Sequence, residues 1–279
     1  MLAELHSHTY YSHGTKVFYD GVNSPDEMVG RAAQLGLGAI TITDHNTLNG
    51  VHKALRSRLD RKYNIKVFKG EEISTNQGHL LAIGIEEAIK PHLDVQEAVD
   101  LIRQQGGLSI APHPFDIKGD GLKNNAIHCD AVETFNAINI DRLSNRAARQ
   151  FAEKHGKLVT AGSDAHTTEM VGNAVINADF EHVDGLLKAI RNGNIEFQAR
   201  YASVPMMSNL ALSRLQLSYD HLLDYMEDNY SWPRRTVAKK ALGLVEKDHI
   251  DSVFKALSYT TFAGVLIYSG ARHVSRFRI

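Results

Sequence analysis

The chain has 279 residues, of which 43% are hydrophobic and 23% are charged, with a formal net charge of -1 at pH 7. This length fits one α/β barrel, or a barrel-sized domain with a small appendage, and the composition excludes a disordered chain. The small net charge excludes a global field that would favour a strongly acidic or strongly basic partner.

Short apolar runs alternate with amphipathic stretches over the first two hundred residues. We predict strands at Leu2–His6, Gly38–Asp44, Ile65–Gly70, His79–Gly84, Leu108–His113, Ala131–Asn136, Leu158–Asp164 and Asn173–Ala178. We predict helices at Pro25–Leu35, Leu48–Tyr63, Val95–Gln105, Asp141–His155 and His182–Asn192, the first capped by Ser24 with Pro25 at its first position. This alternation predicts βα units, a parallel sheet and a closed or distorted barrel.

The pattern changes near Tyr201, after which only helical periodicity is found. The predicted helices are Pro205–Tyr230, Arg234–Glu246 and Asp248–Ala271. We therefore expect a barrel domain over residues 1–200 and a helical appendage over 201–279, which packs on the barrel or on another copy of the chain. From Arg234 onward nine Lys or Arg oppose three acids (Glu246, Asp248 and Asp251), which gives a local charge of +6.

Other features of the sequence concern its location. The first residues show neither a basic segment nor an apolar segment of the kind found in signal peptides, and no run is long and apolar enough to predict a membrane span. Cys129 is the only cysteine, which excludes an intrachain disulfide and suits a reducing compartment. We expect a cytoplasmic protein.

Histidines and carboxylates are concentrated at the ends of the predicted strands. Two pairs, His6 with His8 and Asp164 with His166, have the i, i+2 spacing that puts both side chains on one face of an extended chain. The full set of candidate metal ligands is His6, His8, His13, His45, Glu72, His79, His113, Asp164 and His166. Active sites of barrels lie at the carboxyl ends of the strands, and only His79 falls at a predicted strand start.

The ligand types indicate the metal chemistry. Imidazole and carboxylate without thiolate suit Zn²⁺, Mn²⁺ or Fe²⁺, and nine ligands are too many for one ion. We expect two or three divalent ions, with a carboxylate bridging two of them. Such sites activate a water molecule and bind the oxygens of a phosphoryl group.

These residues fall in motifs that resemble those of the polymerase and histidinol phosphatase (PHP) family. The motifs are His6-Ser7-His8-Thr9, Thr43-Asp44-His45-Asn46, Gly70 with Glu72-Ile73-Ser74, Ala111-Pro112-His113-Pro114 and Ser163-Asp164-Ala165-His166. The stretch from Ser24 to His45 is also similar. The resemblance implies a distorted (β/α)₇ barrel with a three-metal phosphoesterase site.

The resemblance also implies a division of the ligands. His6, His8, Glu72 and Asp164 would hold a first ion, and Glu72 would bridge to a second held by His79 and His113. His13, His45 and His166 would hold a third, although many members carry Asp where His13 stands. The catalytic residues would be His8, Glu72, Asp164 and His166, with His8 or His166 near the leaving group.

Several assignments remain open at the level of sequence. Glu71 is the alternative to Glu72 as the bridge. Asp44 either orients a ligand imidazole or caps the following helix. The candidates for substrate binding are Lys16, Asn136, Arg142 and Arg200.

The substrate and the class of activity are also open. The leading hypothesis is hydrolysis of a phosphate ester, either a small phosphomonoester or nucleotide, or an oligonucleotide attracted by the +6 segment. An amidohydrolase is the second enzyme class, but it places a carbamylated lysine where this chain has Glu72, with Lys66 and Lys69 outside the strand end. A metal-binding regulatory module is the non-enzymatic alternative.

Overall fold

A computed structural model describes residues 1–13, 17–243 and 250–276 of the chain. Within these residues nine strands form one sheet: β1 (Leu2–Glu4), β2 (Ala39–Ile42), β3 (Lys66–Ser74), β4 (His79–Ile83), β5 (Leu108–Ala111), β6 (Ala131–Asn136), β7 (Leu158–Gly162), β8 (Ala174–Asn177) and β9 (Glu196–Ala199). The strand order is β7-β6-β5-β4-β3-β2-β1-β8-β9. A parallel bridge between Ser7 and Ala165 joins the two sides beyond the ends of β1 and β7, so the sheet is nearly closed. The predicted distorted α/β barrel is confirmed.

The sheet is mixed, and here the prediction of a parallel sheet was wrong. Strand β4 runs antiparallel to both β3 and β5, and β8 runs antiparallel to β1 and β9. The reversal explains why His79 stands at a strand start, because the start of β4 lies at the same edge as the ends of the parallel strands. Strand β9, which has four exposed residues and no apolar run, was not predicted.

The helices that cover the barrel are α1 (Pro25–Gln34), α2 (Asn49–Arg56), α3 (Leu59–Tyr63), α4 (Val95–Gln104), α5 (Leu143–His155) and α6 (Val183–Arg191). Ser24 caps α1 in a capping box with Glu27, and Pro25 is its first residue, as predicted. The single helix expected at Leu48–Tyr63 is two helices, because Arg58 adopts a left-handed conformation with φ of 53°. A short 3₁₀ helix, Lys123–His128, lies between β5 and β6.

After β9 the described chain is helical, as predicted, in α7 (Val204–Leu217), α8 (Tyr219–Asn229), α9 (Arg234–Leu242) and α10 (Ile250–Arg276). The helix predicted over Pro205–Tyr230 divides at Ser218, which ends α7 and precedes α8. The predicted junction between the last two helices, from Glu246 to Asp248, lies outside the described residues. In the part of the chain that the structure covers, no helix is long and apolar enough to cross a membrane.

Two buried clusters form the core. One packs the sheet against α1, α2, α4 and α5, with Met28, Val51, Val99 and Phe151 among its members. The other packs strand residues such as Leu81 against α6. Both clusters bury apolar side chains on either side of the strands and so hold the strand ends that carry the polar site.

Candidate metal centre

The end of β1 begins the site. His6 and His8 are fully buried, and their Nε2 atoms lie 3.1 Å apart. Oε2 of Glu72 lies 3.3 Å from Nε2 of His6 and 3.1 Å from Nε2 of His8. Oδ1 of Asp164 lies 3.4 and 3.3 Å from the same two nitrogens. These four atoms form one compact group, composed of the residues expected to hold the first ion.

Glu72 is shared between groups. Its Oε1 lies 3.1 Å from Nδ1 of His79 and 2.9 Å from Nε2 of His113, while its Oε2 also lies 3.5 Å from Nδ1 of His45. Burial opposes the charge on Glu72, but the surrounding histidines, His45 and His79 foremost, hold the pKa of its carboxyl well below the ordinary value. The carboxylate is therefore placed to bridge two cations through its two oxygens.

A third group contains His8, Asp20, His45 and His166. Oδ2 of Asp20 lies 2.8 Å from Nε2 of His166 and 3.4 Å from Nε2 of His45. His166 is buried, and its ring stacks on that of His8 with centroids 4.3 Å apart. This group adjoins the first, because His8 belongs to both.

His13 is the one predicted ligand that the structure does not bring into these groups. It is exposed, its Nε2 lies 3.1 Å from the carbonyl oxygen of Tyr10, and its ring packs against Phe18. Asp20 stands where His13 was expected. The geometry therefore favours Asp20 over His13 as a candidate ligand.

Glu133 on β6 orients the site and was not predicted. Nδ1 of His6 donates to its Oε1 at 3.0 Å, so the lone pair of Nε2 points into the ligand group. Its Oε2 accepts from the backbone amide of His113 at 2.8 Å. A Cβ on Gly162 would lie 1.9 Å from Oε1 of Glu133, so the glycine leaves room for this carboxylate.

Asn136 has a supporting position. Its Nδ2 donates to Oε2 of Glu133 at 2.8 Å and to Oδ2 of Asp164 at 3.1 Å. Its amide nitrogen is thus engaged with buried carboxylates and helps to position Asp164. Its expected contact with substrate stays a prediction. Asp164 itself has φ of 51°, a conformation that is strained for most residues and is common at functional sites.

Asp44 takes neither of its two predicted roles. Its Oδ1 accepts from the backbone amide of Thr9 at 2.6 Å, and its Oδ2 accepts from the Thr9 hydroxyl at 2.8 Å. The cap position of α2 is Leu48, with no side-chain hydrogen bond. Asp44 therefore holds the loop after β1 in place.

The described residues fit a cation by their own geometry. Burial lowers the pKa of His166 to about 4, which favours the neutral ring with a single N–H. Yet Nδ1 lies 2.7 Å from the carbonyl oxygen of Asp164, and Nε2 lies 2.8 Å from Oδ2 of Asp20. One proton cannot satisfy both contacts, whereas a metal ion bound by Nε2 and Asp20 relieves the second. The nitrogen and oxygen donors, without thiolate, match Zn²⁺, Mn²⁺ or Fe²⁺.

Beside these ligands lies a cavity of about 580 Å³. Its described lining includes His45, His79, Asp116, Lys118, Asp141 and Arg214. Of the predicted substrate-binding residues, Arg142 lies over the ring of Tyr201 and Arg200 donates to Oδ1 of Asn173, and neither is among the residues lining this cavity. Lys16 lies outside the described residues.

Arg214 on α7 reaches the candidate ligand Asp20. Its Nη2 donates to Oδ1 of Asp20 at 2.5 Å, and its Nε donates to the backbone oxygen of Asp20 at 2.6 Å. These bonds leave Oδ2 to face His45 and His166. A residue of the helical segment therefore contacts a candidate ligand of the barrel.

We expect Arg214→Ala to weaken binding of one ion by about 10–100-fold, because Asp20 loses the groups that orient it. Arg214→Lys should restore only part of this affinity, since an ammonium lacks the planar fork of the guanidinium. The measurement is a metal titration by calorimetry. Arg235→Ala is the control, because Arg235 pairs with Glu227 on the same helical segment. Equal affinities in both alanine variants would contradict the positioning role.

Glu71 does not share the site of Glu72. It is buried, and its Oε2 accepts from the backbone amide of Ile89 at 2.9 Å. Burial raises the pKa of its carboxyl to about 7. The alternative in which Glu71 is the bridge is not supported by this geometry.

The raised pKa of Glu71 predicts a pH-dependent stability. The folded state binds this proton more tightly than the unfolded state, so its contribution is full below about pH 4.5 and is lost as the pH rises through about 7. Glu71→Gln keeps a neutral side chain at every pH. We expect the variant to gain stability over the wild type, on the order of 2 kcal/mol, between pH 5 and pH 8. Urea unfolding at several pH values tests this, and parallel curves would refute it.

Comparisons with known proteins indicate the family of the chain. Residues 142–195 match the PHP-associated family. An uncharacterized protein of Methanocaldococcus jannaschii is 35% identical over 154 residues, which cover 53% of this chain and 89% of that protein. A second uncharacterized protein of this organism is 35% identical over 144 residues, and the match spans 55% of its length. The chain belongs to the PHP family.

The fold is shared with solved structures. A two-domain protein of Bacteroides vulgatus, described as containing a predicted PHP-like metal-dependent phosphoesterase, superimposes with a TM-score of 0.57. The match covers 75% of this chain and 68% of that protein, at 18% identity. At this identity the match establishes the barrel and not the activity.

Proposed function

We propose that the protein hydrolyses phosphate esters in a multinuclear metal centre at the carboxyl edge of the barrel. The observation that carries the proposal is the buried carboxylate of Glu72, whose two oxygens face five histidines. Divalent ions, when bound at such a centre, lower the pKa of a water molecule and polarise the phosphoryl oxygens.

The ligands divide into three groups. His6, His8, Glu72 and Asp164 would hold a first ion, and Glu72, His79 and His113 a second. Asp20, His45 and His166 would hold a third. Lys118, in the cavity lining, and Arg214 supply positive charge beside these groups. A phosphate group in the cavity would therefore meet cations on more than one side.

Glu133, Asn136 and Arg214 keep the ligands in position. Glu133 fixes the tautomer of His6, and Asn136 and Arg214 orient the carboxylates of Asp164 and Asp20. Both ring nitrogens of His8 and of His166 are engaged within the site. The proton donor to the leaving group, expected at His8 or His166, stays a prediction.

The amidohydrolase alternative finds less support in the barrel. Lys69 on β3 pairs with Glu86, away from the ligands, and Glu72 occupies the position that a carbamylated lysine would need. The nucleic-acid alternative rests on the +6 segment, part of which is engaged locally. Arg235 and Lys239 both pair with Glu227, and Arg234 lies over the ring of Tyr230. We therefore favour a small ester over an oligonucleotide.

The test is an activity screen of the full chain, stripped with a chelator and reloaded separately with Mn²⁺, Zn²⁺ or Fe²⁺. Substrates are phosphomonoesters, cyclic and bisphosphate nucleotides and short oligonucleotides, and elemental analysis should find two to three ions per chain. Asp164→Asn is the matched inactive variant, because Asn tolerates the positive φ of this position. Metal binding without hydrolysis of any ester would favour a regulatory module, and no metal at these residues would end the proposal.

A further inference from the structure

A second cavity, of about 310 Å³, adjoins the metal cavity. It lies between α7 and α10 and is lined by Ile140, Val204, Met207, Ser208, Ala211, Phe254, Leu257, Ser258, Thr261, Phe262 and Val265. Three of these residues, Ile140, Met207 and Val265, also line the metal cavity. The two spaces are therefore neighbours that share one apolar wall.

The second cavity is apolar in character. Its few hydroxyl groups are engaged by the helix that carries them or by each other. Ser258 donates to the backbone oxygen of Phe254 at 2.8 Å and lies 3.0 Å from Oγ of Ser208. The hydroxyl of Thr261 donates to the backbone oxygen of Leu257 at 2.9 Å. A ligand in this cavity would meet hydrocarbon and gain mainly from burial of its own apolar surface.

The walls are tied to the metal site. The hydroxyl of Ser269 on α10 is buried and donates to Oδ2 of Asp141 at 2.9 Å, and Asp141 lines the metal cavity. Together with the contact between Ser258 and Ser208, this bond fixes α10 against α7 and against the loop before α5. The apolar cavity is thus built into the fold beside the metal centre.

The position of the apolar cavity beside the metal cavity indicates the chemistry of a substrate. A molecule that spans both cavities needs an anionic group for the histidines and cations and a hydrocarbon group for the space between α7 and α10. A nucleobase fits poorly, because its ring nitrogens need hydrogen-bond partners and the hydroxyls of the wall are already engaged. An alkyl or aryl group carries no such requirement.

We propose that the substrate is a phosphate ester whose leaving alcohol carries a hydrocarbon group, bound between α7 and α10. This inference rests on the proposed phosphoesterase function for the position of the phosphate. On hydrolysis, water oxygen bonds to phosphorus, the bond from phosphorus to the ester oxygen breaks, and the alcohol leaves with a proton. The apolar cavity would hold the alcohol portion throughout.

Alkyl phosphates from ethyl to octyl test the inference, because the leaving-group pKa hardly changes along the series. We expect kcat/KM of the Mn²⁺-loaded protein to rise about two- to fourfold per methylene until the cavity is filled. The non-hydrolysable alkylphosphonates of the same lengths give a second readout by calorimetry, and their affinity should rise in the same way.

Ala211→Phe fills the cavity from α7 and should flatten both series, with the largest losses for the longest chains. Ala263→Phe is the matched control, since Ala263 is exposed on α10 and is not among the residues that line either cavity. Phe262→Ala enlarges the cavity and should shift the best chain length upward. This third variant keeps the test decisive if Ala211→Phe does not fold.

The outcomes separate the inference from the proposed function. Hydrolysis of every alkyl phosphate at the same rate, with phosphonate affinity independent of length, would overturn the apolar cavity and leave the phosphoesterase standing. Absence of hydrolysis with length-dependent phosphonate binding would overturn the phosphoesterase and support the cavity. If kcat/KM and affinity still rose with chain length in Ala211→Phe, and to the same extent in Phe262→Ala as in the wild type, the hydrocarbon group would bind outside this cavity. That result would refute the inference.

Discussion

Replacing Glu72 by Gln is expected to lower hydrolysis by on the order of a thousandfold or more while the protein stays folded. The carboxylate is buried, and both of its oxygens face histidine nitrogens at 2.9–3.5 Å. A neutral amide cannot bridge two cations, so at least one ion should leave. Loss of a buried counter-charge costs about 3–5 kcal/mol. An activation barrier raised by this amount lowers the rate by on the order of a thousandfold. The measurements are turnover of a chromogenic phosphomonoester, metal content and a melting curve.

Glu71→Gln is the control, since it makes the same chemical change one residue away. Glu71 faces the backbone amide of Ile89 rather than the histidines, and a glutamine oxygen can accept the same hydrogen bond. We expect its activity and metal content to match the wild type. Loss of metal in Glu71→Gln with normal activity in Glu72→Gln would move the bridge to Glu71.

Asp20→Asn is expected to remove one ion and to lower activity by about a hundredfold or more. Asp20 faces both His45 and His166, and an amide binds cations more weakly than a carboxylate does. His13→Ala should change either quantity by less than about threefold, since that ring is exposed and bonds to a backbone oxygen. Elemental analysis and kcat/KM on the same ester distinguish the two residues.

The pair of variants decides which residue completes the third group. If His13→Ala lost an ion and Asp20→Asn kept it, the assignment taken from the sequence would stand and the one taken from the structure would fall. Asp20→Ala with added acetate gives a further check, because a small carboxylate can bind in the vacated space. Partial recovery of metal content by acetate would show that the carboxylate group itself is needed.

The candidate ligands at the strand ends were predictable because their spacing along the sequence is a local pattern. Alternation along an extended chain puts His6 beside His8 without any knowledge of the rest of the fold. The grouping around Glu72 came from the resemblance to the PHP family, and the structure brings all the predicted ligands together except His13. Their roles as metal ligands stay predictions.

Asp20 was missed because it lies in an irregular loop, where spacing along the chain says little about position. The backbone of this loop is fixed by long-range contacts, such as the amide of Val22 donating to the carbonyl of His166 at 3.0 Å. One feature of the sequence, the glycine that follows Asp20, could have drawn attention to this loop. Asp20 precedes Gly21, at which a Cβ would lie 2.3 Å from the carbonyl oxygen of Thr9, and such a close approach accepts only glycine.

Glu133 and Arg214 were missed for different reasons. Glu133 is an acid within a fully buried strand, and a buried charge in such a strand is itself a sign of a polar partner. Arg214 lies on a helix, 194 residues from Asp20 in the sequence, and nothing local distinguishes it from an exposed arginine. A contact of this kind is visible only in three dimensions.

The pairing of β1 with β8 has a consequence for the order of folding. Leu2 and Ala3 pair with Asn177 and Ile176, so a strand at the start of the chain waits for a partner made more than 170 residues later. During synthesis at about 5–20 residues per second, β1 can pair only with β2 for many seconds. Contacts of such long range slow the search for the native topology. His6 and His8, just beyond β1, therefore meet Asp164 late, and the candidate metal centre is assembled in one of the last steps of folding.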